Sequence, residues 1–416
     1  MKFFLLLSGL VAASFIFAAA VNAQPAPQQH VVLMSLDGFR HDYIEKHDAG
    51  NLARIADEGV RAAGLIPVYP ANTFPNHLSI VTGVYPTAHG IVNNRFYDKQ
   101  RVKKNGYAAY SLGKGKQDSS WINALPLWNL VEFHGKKAGS FFWPEADARI
   151  NGAVPTYHYH YNKYASYQQR VDQIVQWLSL PDASRPVFVA GYFSLTDTVG
   201  HDYGPDAPET KAAVQRVDAL VGELYDRLQA LPVPVNLIIV ADHGMTSVDE
   251  ERLITAESLG IDESFVYENE GAQIMVYARP GVPPQAVEEE ATRLRALADG
   301  RFTVLSDTER AERHFQRGPR TGDIVLEIAP PARFIDADHT FSSPGGHGYL
   351  PSHPDMAATF VAAGPAFKKG ARLPALSALE IYPGIAHLLG LPLLSETVSD
   401  GAVFKQGLSE KIAGAE

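Results

Sequence analysis

Six residues of the kind that hold metal ions follow apolar segments of the chain: Asp37 after HVVLMSL, Asp197 and His201 in TDTVGHDYG, Asp242 and His243 in ADHGM, and His347 in SPGGHGY. Zinc takes imidazole nitrogen and carboxylate oxygen readily, and three protein ligands per ion leave a position for substrate. Six such groups suit two ions. The chain has no cysteine, so any metal is held by His and carboxylates, and disulfides are excluded. Taken singly, each residue also serves as a turn or helix cap. An Asp beside a His at the end of a buried strand has little structural use, however, and the set together points to a site. His89, His353 and the tract TYHYHYNKY, with His158 and His160, stand outside it.

YPANTFPNHLSIVTG supplies a nucleophile of matching chemistry. The Thr73 hydroxyl is a poor nucleophile at its free pKa, and coordination to a metal favours the alkoxide. FPNHLSIVTG reads as a helix with Pro75 in its first turn. Thr73 then stands at a helix amino terminus, where N–H groups and the macrodipole favour an anionic phosphoryl group. Local sequence alone favours an ordinary threonine cap.

The elements that must position these residues alternate in type. HVVLMSL, VFVAGYFSL and VNLIIVA read as buried strands with polar groups at their carboxyl ends. Between them, Val171, Ile174, Val175 and Leu178, and then Val214, Val217, Val221, Leu224, Leu228 and Leu231, keep helical spacing. Strands alternating with helices imply an α/β fold, a mainly parallel sheet sandwiched by helices. Ligands bind outside the carboxyl ends of such strands. From about 268 to 340, AQIMVYA, PQAVEEEATRLRALA, FTVLS and DIVLEIA suggest a small inserted β-α-β-β subdomain. AATFVAAG then returns as a core strand, and ALSALEIYPGIAHLLG closes as a helix.

With 416 residues, 46% hydrophobic and 20% charged, the chain is an enzyme-sized globular protein. Residues 1–23 carry one lysine, an apolar run and small residues at Val21 and Ala23, the pattern of a secretory signal peptide cleaved after Ala23; an uncleaved anchor is the competing reading. Residues 24–29 form a polar leader. No later segment has the roughly 18 uninterrupted apolar residues of a membrane span, so the expected product is exported, periplasmic or secreted. The net charge of −10 argues against a stable nucleic-acid partner and leaves small phosphate esters open.

LDGFRHDY, NTFPNHLSIVTGVYPTAHGIVNN, DTVGHDYGP, ADHGM and GGHGY resemble, in order and spacing, the nucleotide pyrophosphatase/phosphodiesterases of the alkaline phosphatase superfamily, over about residues 30 to 405. The resemblance implies an alkaline-phosphatase-like catalytic domain over 30–416 and two metal ions, usually zinc. One would be held by Asp197, His201 and His347, the other by Asp37, Asp242 and His243, with Thr73 as nucleophile at the second. Asn94 matches the asparagine that binds a phosphoryl oxygen together with the Thr73 amide. In-line attack, a phosphothreonine intermediate and release of a monoester are implied.

No basic residue adjoins Thr73 in sequence, which favours a diester over a dianionic monoester. Phe74 is placed to stack on a ring. Tyr161 and Tyr192 match aromatic positions that sandwich a nucleobase in nucleotide-cleaving members, and Tyr107 falls at an apolar position of that pocket. The expected substrates are nucleoside triphosphates, dinucleotides and nitrophenyl nucleotide esters, with a nucleoside 5′-monophosphate as product. A choline phosphodiester hydrolase is the main alternative, with Tyr161, Tyr192 and Asp147 as pieces of a cation cage. A phosphonate hydrolase lacks basic groups for its carboxylate. A non-catalytic exported metal- or solute-binding protein has no use for NTFPNH.

Overall fold

The computed structural model describes residues 27–104, 106–337 and 343–413; the expected signal peptide and the first half of the leader lie outside the described residues. Among the described residues no helix is long and apolar enough to cross a membrane.

The three apolar runs become adjacent central strands. His30–Leu36 pairs in parallel with Phe188–Phe193 on one side and Val235–Val240 on the other. All three are buried along their whole length, as continuous apolar runs in a sheet covered on both faces must be. The sheet extends through Ala138–Phe141 and Tyr157–Tyr159 at one side, again in parallel. At the other it continues through Phe360–Ala363, Val60–Ala62 and Ala371–Leu373, eight strands in all. Phe360–Ala363 is the strand that runs against its neighbours.

The helices Tyr167–Leu178 and Pro208–Gln229 bury Val171, Ile174 and Leu178, and Val214, Val217, Val221, Leu224 and Leu228, the apolar stripes that the helical spacing defines. The first is closed by a capping box between Ser166 and Gln169.

The inserted unit has one strand more than expected. Phe265–Asn269 begins it, upstream of residue 268, and pairs antiparallel with Gln273–Ala278. The helix Pro284–Ala298 follows, and Thr303–Val304 and Ile324–Glu327 complete a four-stranded sheet. Its apolar face packs into a second core around Ile274, Leu294 and Leu326.

Candidate metal centre and substrate cavity

Parallel register brings three polar strand ends to one edge. Asp37 follows His30–Leu36 directly, and its amide donates to the Phe193 carbonyl across the ladder at 2.9 Å. Asp242 and His243 come two and three residues after Val240. Asp197 lies slightly further on than the strand pattern suggests, in the first turn of the helix Leu195–Tyr203, with His201 one turn later on the same face. Gly38 makes the crowding possible: its φ is +67°, and a Cβ there would lie 3.0 Å from the Asp197 Cα. His347 directly follows Gly345–Gly346, which pairs antiparallel with Thr246–Ser247 just beyond His243. Gly345 passes so close to the Gly200 carbonyl that a Cβ would lie 2.0 Å from its oxygen.

The ligand atoms converge in two overlapping groups. Asp37, Asp242 and His243 form one, and Asp197, His243 and His347 the other, each within 4.8 Å. His201 joins the second: its Nε2 is 2.9 Å from His347 Nε2 and 3.4 Å from Asp197 Oδ1. His243 Nε2 is 3.0 Å from Asp242 Oδ2 and 3.6 Å from Asp37 Oδ1.

The hydrogen bonds on the other ring nitrogens decide what these distances mean. His201 Nδ1 meets the Gly345 carbonyl at 3.0 Å, His347 Nδ1 the Ala71 carbonyl at 3.2 Å, and His243 Nδ1 the Gly244 carbonyl at 2.8 Å. A carbonyl only accepts, so each Nδ1 carries the proton and, in the neutral ring, each Nε2 presents a lone pair. Two such lone pairs face each other across 2.9 Å, and three buried carboxylate oxygens, Asp37 Oδ1, Asp197 Oδ1 and Asp242 Oδ2, have no hydrogen-bond donor among the described residues. Unpaired buried charge is costly, and cations between these atoms satisfy all of them. The donor set, imidazole nitrogen and carboxylate oxygen, suits zinc. Crowding shows in the carboxyls too: burial, with Asp242 and Asp197 alongside, drives Asp37 well above the carboxylate range.

Thr73 opens the helix Thr73–Thr82, and its Oγ1 lies 3.3 Å from His243 Nε2. The first turn offers few free amides. Asn94 Oδ1 accepts from the Phe74 N–H at 2.9 Å, and Pro75 has none. This bond fixes the Asn94 carboxamide, which also lines the cavity beside Thr73. His77, one turn along, donates from Nδ1 to the Thr73 carbonyl at 2.8 Å and takes Ser35 Oγ on Nε2 at 2.8 Å. It braces the turn that carries Thr73 against the first strand, a role that the i, i+4 spacing from Thr73 could have signalled.

A cavity of about 620 Å³ opens beside the ligands. Asp37, Thr73, Asn94, Asp197, His201 and His347 form one end, and Phe74, Tyr161 and Tyr192 line it with Phe142 and Tyr159. Tyr161 is 55% exposed at the mouth. Tyr192 is buried, and its hydroxyl donates to Asp37 Oδ2 at 2.5 Å, so it also braces a candidate metal ligand. Tyr107 is a correction: its hydroxyl donates to the Ala278 carbonyl at 2.7 Å, and it lines a separate groove against the inserted unit. Leu112, five residues on, lines the cavity instead.

Lys116, Trp143, Glu145 and Asp147 also line the cavity and were not singled out as a group from sequence. Three of them follow Ala138–Phe141, so the strand-end rule that found Asp37 and Asp242 applies to them as well. Glu145 is 2% exposed, accepting from the Tyr110 hydroxyl and from the Gly115 amide. Burial raises it to about 7. A raised carboxyl binds its proton more tightly folded than unfolded, so this contribution is fully present below about pH 4.5 and is lost as pH rises through about 7. The variant E145Q, which mimics the protonated form, is expected to be more stable than wild type by about 3 kcal/mol at pH 8 and nearly equal to it at pH 4. Thermal melts at the two pH values check this; parallel wild-type and variant melts across the range contradict it.

A sequence model of the family described as Type I phosphodiesterase / nucleotide pyrophosphatase matches residues 31–350. An uncharacterised pyrophosphatase/phosphodiesterase of Schizosaccharomyces pombe is 31% identical over 88% of this chain and 78% of its own length. Human ectonucleotide pyrophosphatase/phosphodiesterase family member 1 is 32% identical over 86% of this chain, which spans 40% of that relative's length. Murine ectonucleotide pyrophosphatase/phosphodiesterase 5 superposes with a TM-score of 0.83 at 29% identity, covering 92% of this chain and 100% of that one. An inactive threonine-to-alanine variant of the same murine protein, in complex with AMP, superposes equally well, at 0.83 and 28% identity. By sequence over most of its length and by fold, the chain belongs to the type I phosphodiesterase/nucleotide pyrophosphatase family, hydrolases of phosphodiester bonds in an alkaline-phosphatase-like α/β fold.

Proposed function

We propose that the protein is an exported two-zinc phosphodiesterase/nucleotide pyrophosphatase that releases a nucleoside 5′-monophosphate through a phosphothreonine intermediate. The observation that carries the reading is the junction of a hydroxyl at a helix start, 3.3 Å from His243 Nε2, with buried carboxylates that lack donors and an aromatic-walled cavity. Asp197, His201 and His347 would hold one ion, and Asp37, Asp242 and His243 the other. When bound, the ions supply positive charge for the phosphoryl oxygens, favour the Thr73 alkoxide and ready a water for the second step.

The chain's own groups do the rest. Thr73 Oγ1 attacks phosphorus opposite the leaving oxygen, and the Thr73 amide and Asn94 NH₂ donate to a phosphoryl oxygen where charge develops. Phe74 and Tyr161 hold the base by stacking. Water then cleaves the Thr73–phosphorus bond on the same line, returning a proton to Oγ1 and releasing the monophosphate. The AMP carried by the murine structure supports a nucleotide as the retained group.

The choline reading has less support. Asp147, the acidic member of its cage, already has His160 Nδ1 at 2.9 Å and the Lys116 ammonium at 3.9 Å beside it. Product analysis of the zinc-loaded protein with ATP and glycerophosphocholine in parallel tests the two. AMP plus pyrophosphate is expected; phosphocholine alone would reject the nucleotide reading.

Two substitutions check the roles of the cavity. Asn94→Ala, which removes a donor to the developing charge, is expected to lower kcat by about 100- to 1,000-fold, with little change in KM. Phe74→Ala and Tyr161→Ala are each expected to cost about 1–3 kcal/mol in kcat/KM for nucleotide esters and much less for bis-nitrophenyl phosphate, which has no base. Equal losses on both substrates would remove the stacking role.

A further inference from the structure

Arg333, near the end of the inserted unit, reaches the loop that carries a candidate metal ligand. The strand Arg333–Ile335 pairs in parallel with Leu253–Thr255, and the Phe334 amide donates to the Gly271 carbonyl at 2.8 Å. From this anchored backbone the Arg333 guanidinium crosses to the loop that carries His347, where its Nη1 donates to the Gly345 carbonyl at 3.2 Å. The same carbonyl receives His201 Nδ1 at 3.0 Å and the Ser343 hydroxyl at 3.0 Å. One backbone oxygen is thus gripped by a cation and in turn sets the tautomer and ring direction of a candidate metal ligand.

The surrounding backbone is cleared for that arm. A Cβ on Gly271 would lie 2.7 Å from Arg333 Nε, and one on Gly346 would lie 2.8 Å from Nη1. Two glycines far apart in sequence leave a slot that the guanidinium fills. Lysine, a point charge without the planar fork, fills such a slot less well.

We propose that Arg333 is a positioning residue for His201: through the Gly345 carbonyl, the inserted unit sets the metal affinity of the Asp197–His201–His347 half and leaves the Asp37–Asp242–His243 half unaffected. The inference rests on the two-metal reading above. Its physical basis is that the partner of a ligand's second ring nitrogen fixes the ligand, and losing such a partner typically weakens metal binding 10–100-fold. Arg333 also faces a cavity of about 450 Å³ that shares His201 and His347 with the catalytic one, so a direct substrate contact is the competing role.

Zinc titration of the metal-stripped protein by calorimetry, with a competing chelator, separates these. Wild type is expected to show two sites, and His201→Ala to identify the weaker-binding signature of one half. Arg333→Met should weaken that same site 10- to 100-fold, leave the other within twofold, and keep the melting temperature of the metal-free protein. Arg333→Lys should recover part of the loss. Gly346→Ala, which drives a methyl group against Nη1, should weaken the same site from the other side and decides the matter if Arg333→Met does not fold. Both affinities at wild-type values in Arg333→Met, with a raised KM, overturn the proposal in favour of a substrate contact. Equal weakening of both sites overturns its selectivity. If wild type shows no zinc site that His201→Ala removes, the two-metal reading itself has failed, a separate result.

Discussion

Thr73→Ala is expected to lower kcat for nucleotide ester hydrolysis about ten-thousand-fold or more, the scale seen when a nucleophile that acts as part of a unit is removed. On the proposed mechanism the Thr73 hydroxyl, 3.3 Å from His243 Nε2, forms the covalent bond that splits the reaction into two displacements, and among the described residues lining the cavity it is the one aliphatic hydroxyl. The Asp and His ligands are untouched in this variant, so zinc stoichiometry should stay at the wild-type value. Thr73→Ser keeps the hydroxyl and should retain measurable turnover. Acid quench during turnover of a phosphate-labelled nucleotide should trap label on Thr73 in wild type and none in Thr73→Ala. Unchanged turnover in the alanine variant would sink the nucleophile assignment. Lost turnover together with lost zinc would reassign Thr73 to structure.

Stripping the metal is expected to have the second largest effect, abolishing turnover reversibly and lowering Tm. The centre gathers Asp37, Asp197 and Asp242 with three histidines whose Nε2 atoms face inward. Without cations, like charges and lone pairs are forced together in a buried space. Zinc bound only by the folded form adds about 2.7 kcal/mol per site at 100-fold excess over Kd. Asp242→Asn, which removes the charge of a carboxylate whose Oδ2 lacks a donor among the described residues, should lose most of the stabilisation at one site and cost at least a thousandfold in kcat. Apparent zinc affinity should fall with decreasing pH, because the imidazoles and carboxylates must be unprotonated to bind. Scanning fluorimetry with chelator, then with zinc restored, measures both. A Tm indifferent to zinc, with chelated protein still active, would contradict the assignment of the cluster.

The fold class and the convergence of Asp37, Asp242 and His243 were legible in the sequence because their causes are local. A continuous apolar run makes a doubly covered strand, and a polar residue at its carboxyl end has one direction to face. Thr73 stood out by its place at a helix start, where backbone N–H groups favour an anion, whereas Asn94 came only from motif resemblance. These features need only the chain's own period and its punctuation.

What tertiary structure decided is which side chains share the cavity. Tyr107 and Leu112 lie near each other in sequence, on or just after the hairpin of Phe96–Lys103 with Gly106–Tyr110. That hairpin carries a register shift between Asp98 and Val102. There the first strand advances four residues while its partner advances one, from Ala108 to Tyr107, and no local pattern announces that irregularity. Tyr192 likewise looks like a stacking ring in sequence, yet its hydroxyl is held by Asp37 from a strand 155 residues away. The fourth strand of the inserted unit and the reach of Arg333 to Gly345 were hidden for the same reason. They depend on which backbones become neighbours, and that is set by packing the whole chain, whereas strand ends and helix starts are set by residues adjacent in sequence.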